Sequence, residues 1–473
     1  MMQTVGPHYT RLLKFDAEKY PEITGDAAQS WTVSPDKRVY IFKLKPNVKF
    51  HDGSPLTAAD VKATYDRIRN PPEGIVSVRK ARFEDIASIE TPDPLTIVFT
   101  LKQPDATMLL NFASPWNCLY SAAKLAQDPR FPERNILGSG AFRFVEHVRG
   151  SHWVGARFDG YHESGKPHLD GFRAQFMSGT AMINALQGGQ IMAEFRGISP
   201  AERDRLKSAL GDRIVISEAP WLCKFDVFFN HRKPPYDDVR VRKALTLAID
   251  RWRGAQKLAR IAFVKEVGGP IRPGHPLAMP PAELEKFPGF GRDIGAARAE
   301  ARQLLKEAGQ EGLKFRLTMR DVPMPFQPVG VFLIDQWRQI GVTVENNPVG
   351  VAQQKAAYLG GNYDVGLDSN CYDVDEPDPQ LLLYVSHDKS PVNFPLYEDR
   401  TLDALYERQK RATTEGEQMA AIREFEARLF EQAHTAPIVW WQRIGAHSAA
   451  LRGWRILPSY YLNQELGDVW LAN

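Results

Sequence analysis

Between residues 237 and 369 the apolar period of the chain alternates between the 3.6 of a helix and the 2 of a strand, and few folds accommodate that alternation. Asp237 and Asp238 open a helix whose Val241, Ala244, Leu245, Ala248 and Ile249 share one stripe. A Pro/Gly-rich connection runs from Gly268 to Gly291. Next come a helix with Ala297, Ala301, Leu304, Leu305 and Ala308, stopped by Gly309, and a strand with Phe315, Leu317 and Met319. A further helix carries Phe332, Leu333, Trp337 and Ile340 and ends at Gly341. A strand over 342–345, a short helix near 352–359 and a strand over 363–369 complete the run. The order βαβαβ predicts a parallel sheet with right-handed crossovers, within an α/β fold. In open sheets of this kind ligands sit off the carboxyl ends of the strands.

One such end carries the acidic, Pro-punctuated segment Asn370-Cys371-Tyr372-Asp373-Val374-Asp375-Glu376-Pro377-Asp378-Pro379. Three readings of it stay open. It can be a solvated loop, because Asp and Pro are common turn residues. It offers carboxylates to calcium, yet lacks the spacing and the glycine of an EF-hand loop. It can also hold an ammonium group, given one fixed carboxylate, an aromatic face and exclusion of water. Trp116, Trp221, Trp440 and Trp441 each read first as core residues. Trp440 and Trp441 must point to opposite faces of one strand, so one is expected in the core and the other against a cavity.

Other chemistries are excluded by detail. Gly160-Tyr161-His162-Glu163-Ser164-Gly165-Lys166-Pro167 imitates phosphate-loop spacing, but Pro167 stands where a magnesium-binding hydroxyl is required. Gly138-Ser139-Gly140 lacks the third glycine of a dinucleotide fingerprint, and neither G-x-S-x-G nor H-E-x-x-H occurs. The three cysteines, Cys118, Cys223 and Cys371, form no CxxC pair, and the 11 histidines are scattered. No catalytic residue, metal ligand or cofactor is therefore assigned. The 60 basic and 57 acidic side chains give a net charge of +3, which supports neither a nucleic-acid partner nor an anionic membrane surface. At 473 residues the chain exceeds one compact core, so two or three domains are expected. No apolar run approaches the roughly 18–20 residues of a membrane span, and residues 1–16 do not have the make-up of a secretory signal.

The flanking segments read as strands over 31–44, turned by Ser34-Pro35-Asp36, and a helix opened by a Thr57/Asp60 capping box with Val61, Tyr65 and Ile68 inward. A strand over 95–101, a β-rich stretch over 138–176, a helix near 181–186 and an apolar strand over 221–230 follow. Helices over 402–411 and 417–433 and a strand over 438–441 close the pattern.

Four segments, in order, resemble the family 5 extracellular solute-binding proteins of ABC importers, the peptide/nickel-binding type. They are Val48 to Val61, Gly138-Ser139-Gly140-Ala141-Phe142, Asn230 to Leu245 with its Pro234-Pro235-Tyr236-Asp237-Asp238 core, and Tyr363 to Pro379. The resemblance implies a two-lobed periplasmic-binding-protein architecture of type II. Lobe I would comprise 1–31, 136–232 and 445–473, with an extra α+β domain inserted over 32–135. Lobe II would be 233–444. It implies a monomer that captures a small molecule or short peptide between its lobes, delivers it to ABC permease subunits and catalyses nothing. A carboxylate-based hydrolase using Asp373 and Asp375, or a non-transport sensor or chaperone on the same fold, is the alternative.

In the oligopeptide-binding branch a cysteine lies two residues before the aspartate that meets a peptide's α-ammonium, and Cys371 and Asp373 match that pattern. Its partner lies in a Tyr-Leu-Cys strand, matched by Trp221-Leu222-Cys223. The resemblance thus implies a Cys223–Cys371 disulfide, a free Cys118, and a ligand held by Asp373 and lined by Tyr372, Asn370, Trp221 and Trp440 or Trp441. Leu367 stands where that branch has arginine, Asn370 where it has tryptophan, and Asp368 adds a carboxylate. Those departures imply a ligand with net positive charge or without a carboxylate. The family begins with a signal peptide and a first strand ahead of the segment matching Tyr9 to Asp16. The chain is thus expected to be periplasmic with both missing, and lobe I to carry an unpaired edge.

Overall fold

The computed structural model describes residues 2–75, 77, 79–105 and 107–472. It divides into two compact units, one of residues 1–196, 205–217 and 445–473, the other of 197–204 and 218–444.

In the first unit the segments Ala28–Val33 and Val39–Leu44 form the expected hairpin, and with Thr96–Leu101 and Ile86–Asp93 they build a four-stranded antiparallel sheet. Helix Ala58–Arg69 packs its Val61, Tyr65 and Ile68 inward, and Tyr65 meets Phe83, Phe99 and Phe112 edge-on. The capping box forms: the Thr57 backbone N–H and hydroxyl both donate to Asp60 Oδ2, at 2.8 and 3.0 Å. A second antiparallel sheet joins Phe142–Val148, His152–Arg157 and Gly171–Gln175. The 160–167 stretch is a loop with a turn at Gly165 (φ +76°) and opens no helix, as Pro167 demands.

The second unit is built on a six-stranded sheet. Its order is Val264–Glu266, Thr435–Ser448, Ile214–Phe229, Val365–Cys371, Lys314–Arg320, Thr343–Val349. The last three strands are parallel, and helices Phe326–Arg338 and Val351–Leu359 make the crossovers, as the periodicity requires. Val241, Ala244, Leu245 and Ala248 are buried, as are Leu305, Phe315 and Trp337; the Trp337 ring meets Phe315 edge-on, and its indole donates to the Leu245 carbonyl at 2.9 Å. A further core gathers Leu402, Leu405 and Tyr406 of Arg400–Lys410 against Ile422, Phe425 and Leu429 of Glu415–Glu431.

Local pattern did not reveal that Ile214–Phe229 runs antiparallel to Val365–Cys371, with Cys223 opposite Cys371 and Phe229 opposite Val365. That ladder ties residues 223–229 to the second unit. The chain accordingly leaves the first unit after Ser217, earlier than the boundary at 232 inferred from the resemblance, and returns to it after Ile444. Among the described residues no helix is long and apolar enough to cross a membrane.

Candidate functional site

The acidic loop leaves the carboxyl end of Val365–Cys371 and enters the short helix Pro377–Leu381. Its start is fixed covalently. Cys223 and Cys371 form a disulfide across the ladder, closing 148 residues of sequence, and Cys118 is a buried free thiol. The Tyr372 N–H donates to the Leu222 carbonyl at 2.8 Å, and the Tyr372 ring packs with Leu222 and Trp440. Asp373, the next residue, is buried.

Asn370 donates its side-chain amide to Asp226 Oδ2 at 3.1 Å. Trp440 and Trp441 do face opposite ways. The Trp440 ring lies beside Tyr372, its N–H donating to the Gly269 carbonyl at 3.1 Å. Trp441 meets Trp221 edge-on at 5.3 Å and also touches Phe225 and Phe263. Trp221, Trp440 and Trp441 are all buried, so both faces of the Thr435–Ser448 strand are covered at this point. Of the six residues expected to line a ligand, the structure thus groups Tyr372 with Trp440, and Trp221 with Trp441; Asn370 is turned to Asp226.

Several charged groups that pattern reading did not single out surround the loop. Lys224 and Asp226 alternate onto one face of Ile214–Phe229 and pair at 3.2 Å, fully buried. The Tyr384 hydroxyl bridges them, touching the Lys224 ammonium and donating to Asp226 Oδ1 at 2.9 Å, and Lys224 also lies 4.6 Å from the Tyr384 ring centre. Burial lowers the Lys224 pKa, and Asp226 opposes that shift. Two charged residues at i and i+2 in an apolar-aromatic strand were the available sequence signal, because such a pair can enter a core only together.

The carboxylates are not equivalent. Asp375 is held by Arg272, 2.6 Å away, and Asp378 accepts from the Tyr406 hydroxyl at 2.6 Å. Asp368 meets Arg320 at 2.9 Å, and burial still pushes its pKa up to about 6 against that cation's pull. The surplus charge expected from Asp368 is therefore offset by Arg320, whose partly exposed guanidinium lies at the end of Lys314–Arg320 and near the Phe326 ring. Glu376 is half-buried, and its pKa is pushed up to about 8 by burial and then by Asp375 and Asp378. Burial is the larger cause, and the two neighbouring carboxylates push in the same direction.

With this geometry in view, the comparisons with known proteins give one answer. Residues 22–391 match the model of the bacterial extracellular solute-binding proteins, family 5. The chain belongs to that family, the solute-binding components of ABC importers, and has its two-lobed α/β fold. The glutathione-binding protein GsiB of Pectobacterium atrosepticum is 26% identical over 480 residues, covering 99% of this chain and 90% of that protein. The periplasmic binding protein DppA from Helicobacter pylori, solved in complex with the peptide STSA, superposes with a TM-score of 0.84 at 22% identity, covering 99% of this chain and 93% of that one. The binding protein AgaA from A. tumefacien R10, in complex with agropinic acid, gives 0.85 at 23% identity, covering 100% and 94%.

Proposed function

We propose that this solute-binding protein works in the periplasm, as a monomer, and delivers a short peptide or a comparable amine-bearing solute to an ABC permease. Asp373 takes the ligand's ammonium group. Tyr372 and Asn370 flank that anchor, and Trp221, Trp440 and Trp441 stiffen the strands behind it. The observation that carries this reading is the buried Asp373, two residues past the disulfide-fixed Cys371, in a loop that also carries Asp375, Glu376 and Asp378. A buried carboxylate in such a loop favours a cation over a neutral or anionic group. The Cys223–Cys371 disulfide fits an oxidising compartment.

Arg320 extends the reading to a carboxylate. A guanidinium engaged with Asp368 and, through Nε, with Gln354, and still partly exposed, has donors left for a further acceptor. Asp368, its partner, precedes Asp373 by five positions, so at ~3.3 Å per residue the two anchors are separated by at most about 16 Å along the chain. A peptide of two to four residues spans such a distance. Glutathione and the peptide STSA, named as the ligands of two of the similar proteins, each carry both an amine and a carboxylate.

The protein carries out no covalent chemistry in this reading. A hydrolytic carboxylate pair needs two free carboxyls across a substrate, and Asp375 is committed to Arg272. The net charge of +3 offers no nucleic-acid surface.

Calorimetric titration with di- to tetrapeptides in free, N-acetylated and C-amidated forms tests this. Acetylation, or Asp373→Asn, should each cost roughly 2–4 kcal/mol of binding. Amidation and Arg320→Gln should weaken the same peptides and fail to add. Equal affinity for free and acetylated peptides would remove Asp373 from the role. Tight binding of amidated peptides alone would favour a ligand without a carboxylate. Release of hydrolysis products would overturn the non-enzymatic reading.

A further inference from the structure

We propose that Asp26, His162 and Glu163 form a binding site for a divalent transition metal, with Zn²⁺ the best fit, in which the metal replaces the Lys14 ammonium as counter-charge. The site lies wholly within the first unit and does not depend on the reading of the acidic loop. It also accounts for the 160–167 stretch, which fails as a phosphate loop yet places a histidine and a glutamate side by side.

The donor atoms are already gathered. One ligand atom from each of the three residues lies within 4.8 Å of the others. His162 Nε2 is 3.7 Å from Asp26 Oδ1 and 3.9 Å from Glu163 Oε1. Tetrahedral zinc with ligand distances of about 2.0–2.2 Å sets its donors roughly 3.3–3.5 Å apart. A contraction of a few tenths of an ångström therefore brings His162 into range of each carboxylate, and the two carboxylate oxygens, within 4.8 Å of one another, would close the third edge on the metal, leaving the fourth corner for water.

His162 supplies the second, independent observation. Its side chain is fully buried, and among the described residues neither ring nitrogen has a hydrogen-bond partner. A buried imidazole normally satisfies both nitrogens, because a buried polar group without a partner has lost its hydration with nothing in return. The ring is instead turned toward two carboxylates at distances too long for hydrogen bonds.

The carboxylates are aimed by outer contacts. The Arg11 N–H donates to Asp26 Oδ2 at 2.8 Å, leaving Oδ1 toward His162. Lys166 holds Glu163 Oε2 at 2.8 Å, leaving Oε1 inward. Such fixed orientation is what a metal site requires of its surroundings. The occupant of the centre is Lys14, whose ammonium lies 3.0 Å from Glu163 Oε1 and 3.9 Å from Asp26 Oδ1. Its side chain is partly exposed, so it can withdraw when a stronger cation arrives. The borderline N/O/O donor set suits Zn²⁺ over Mg²⁺ or Ca²⁺, which prefer all-oxygen cages. Bound metal would tie the segment between Ile23–Gly25 and Ala28–Val33 to the loop after His152–Arg157.

Untagged protein, stripped with a chelator and titrated with ZnCl₂ by calorimetry, should bind one equivalent, and its melting temperature should rise with Zn²⁺ concentration. His162→Ala and Asp26→Asn should each weaken that event at least about tenfold, and Lys14→Met should strengthen it by removing the competing ammonium. Co²⁺ should give the absorption of a tetrahedral centre in the wild type and lose it in the variants. Asp26→Asn preserves shape and carries the test if His162→Ala fails to fold. Absence of binding, binding that ignores both substitutions, or binding weakened by Lys14→Met would each overturn the proposal.

Discussion

Replacing both members of the Cys223–Cys371 disulfide by alanine is the perturbation whose size is most directly set by the structure. The bond closes a loop of 148 residues that lies wholly within the second unit. In the chain-entropy treatment a loop of that size removes about 17 cal/mol/K from the unfolded ensemble, or about 5 kcal/mol at 25 °C. For a unit of roughly 230 residues that corresponds to a drop of about 10 °C in melting temperature. Scanning calorimetry of wild type and C223A/C371A, with and without a thiol reductant, measures it. The reductant should lower wild type toward the double variant and leave the variant unmoved. C118A, which removes the buried free thiol, should keep the wild-type response to reductant. A difference under about 3 °C would refute the reasoning, because the loop-closure term would then be absent or cancelled by native strain.

Other expectations follow from the buried charges. Lys224→Met strands Asp226 in the core with only Tyr384 and Asn370 as partners, so it should cost about 3–5 kcal/mol in urea unfolding, whereas K224M/D226M should recover most of the loss; a single-variant cost below about 1 kcal/mol would contradict this. Glu426 is fully buried beside Arg423, and burial raises its pKa from the ordinary 4.5 to about 8. The folded state then binds this proton more tightly than the unfolded chain, so its contribution to stability is present below pH 4.5 and is lost as pH climbs toward 8. Glu426→Gln should flatten melting temperature against pH across that window, with the gain over wild type growing toward pH 8; an unchanged slope would show that the carboxyl is not held protonated.

What could be read from the sequence was what depends on neighbours within a few residues. The stripe of Val241, Ala244, Leu245 and Ala248, the Thr57/Asp60 cap and the alternation through Phe315, Leu317 and Met319 each state a local requirement, and each element forms. The crossovers followed from element order alone, since βαβ units admit one hand. The surroundings of the loop were illegible for the opposite reason. Arg272 reaches Asp375 across 103 positions, Arg320 reaches Asp368 across 48, and Tyr384 reaches Asp226 across 158. No period or spacing encodes such pairings; they exist only once the sheet brings its strands together. The Cys223–Cys371 pairing was accessible through family resemblance, and the ladder that sets these residues opposite one another supplies its physical cause.

The same ladder bears on the proposal that a loop this charged serves as an anchor. A run of carboxylates at a strand end would ordinarily fluctuate, and a ligand would spend binding energy on ordering it. Here the order precedes the ligand. The disulfide fixes Cys371, the Leu222 carbonyl holds the Tyr372 N–H, and Arg272 and Tyr406 hold Asp375 and Asp378 on the far side of Asp373. Behind the strand, the Lys224–Asp226 pair places one fixed positive and one fixed negative charge where apolar side chains would be easier to pack. That pair supports the loop through Asn370, so the sheet core and the acidic loop are one connected polar structure. If the loop is the anchor we propose, rigidity of this kind puts its specificity into the position of the Asp373 carboxylate, and the ligand becomes a question of which cation fits a loop already in place.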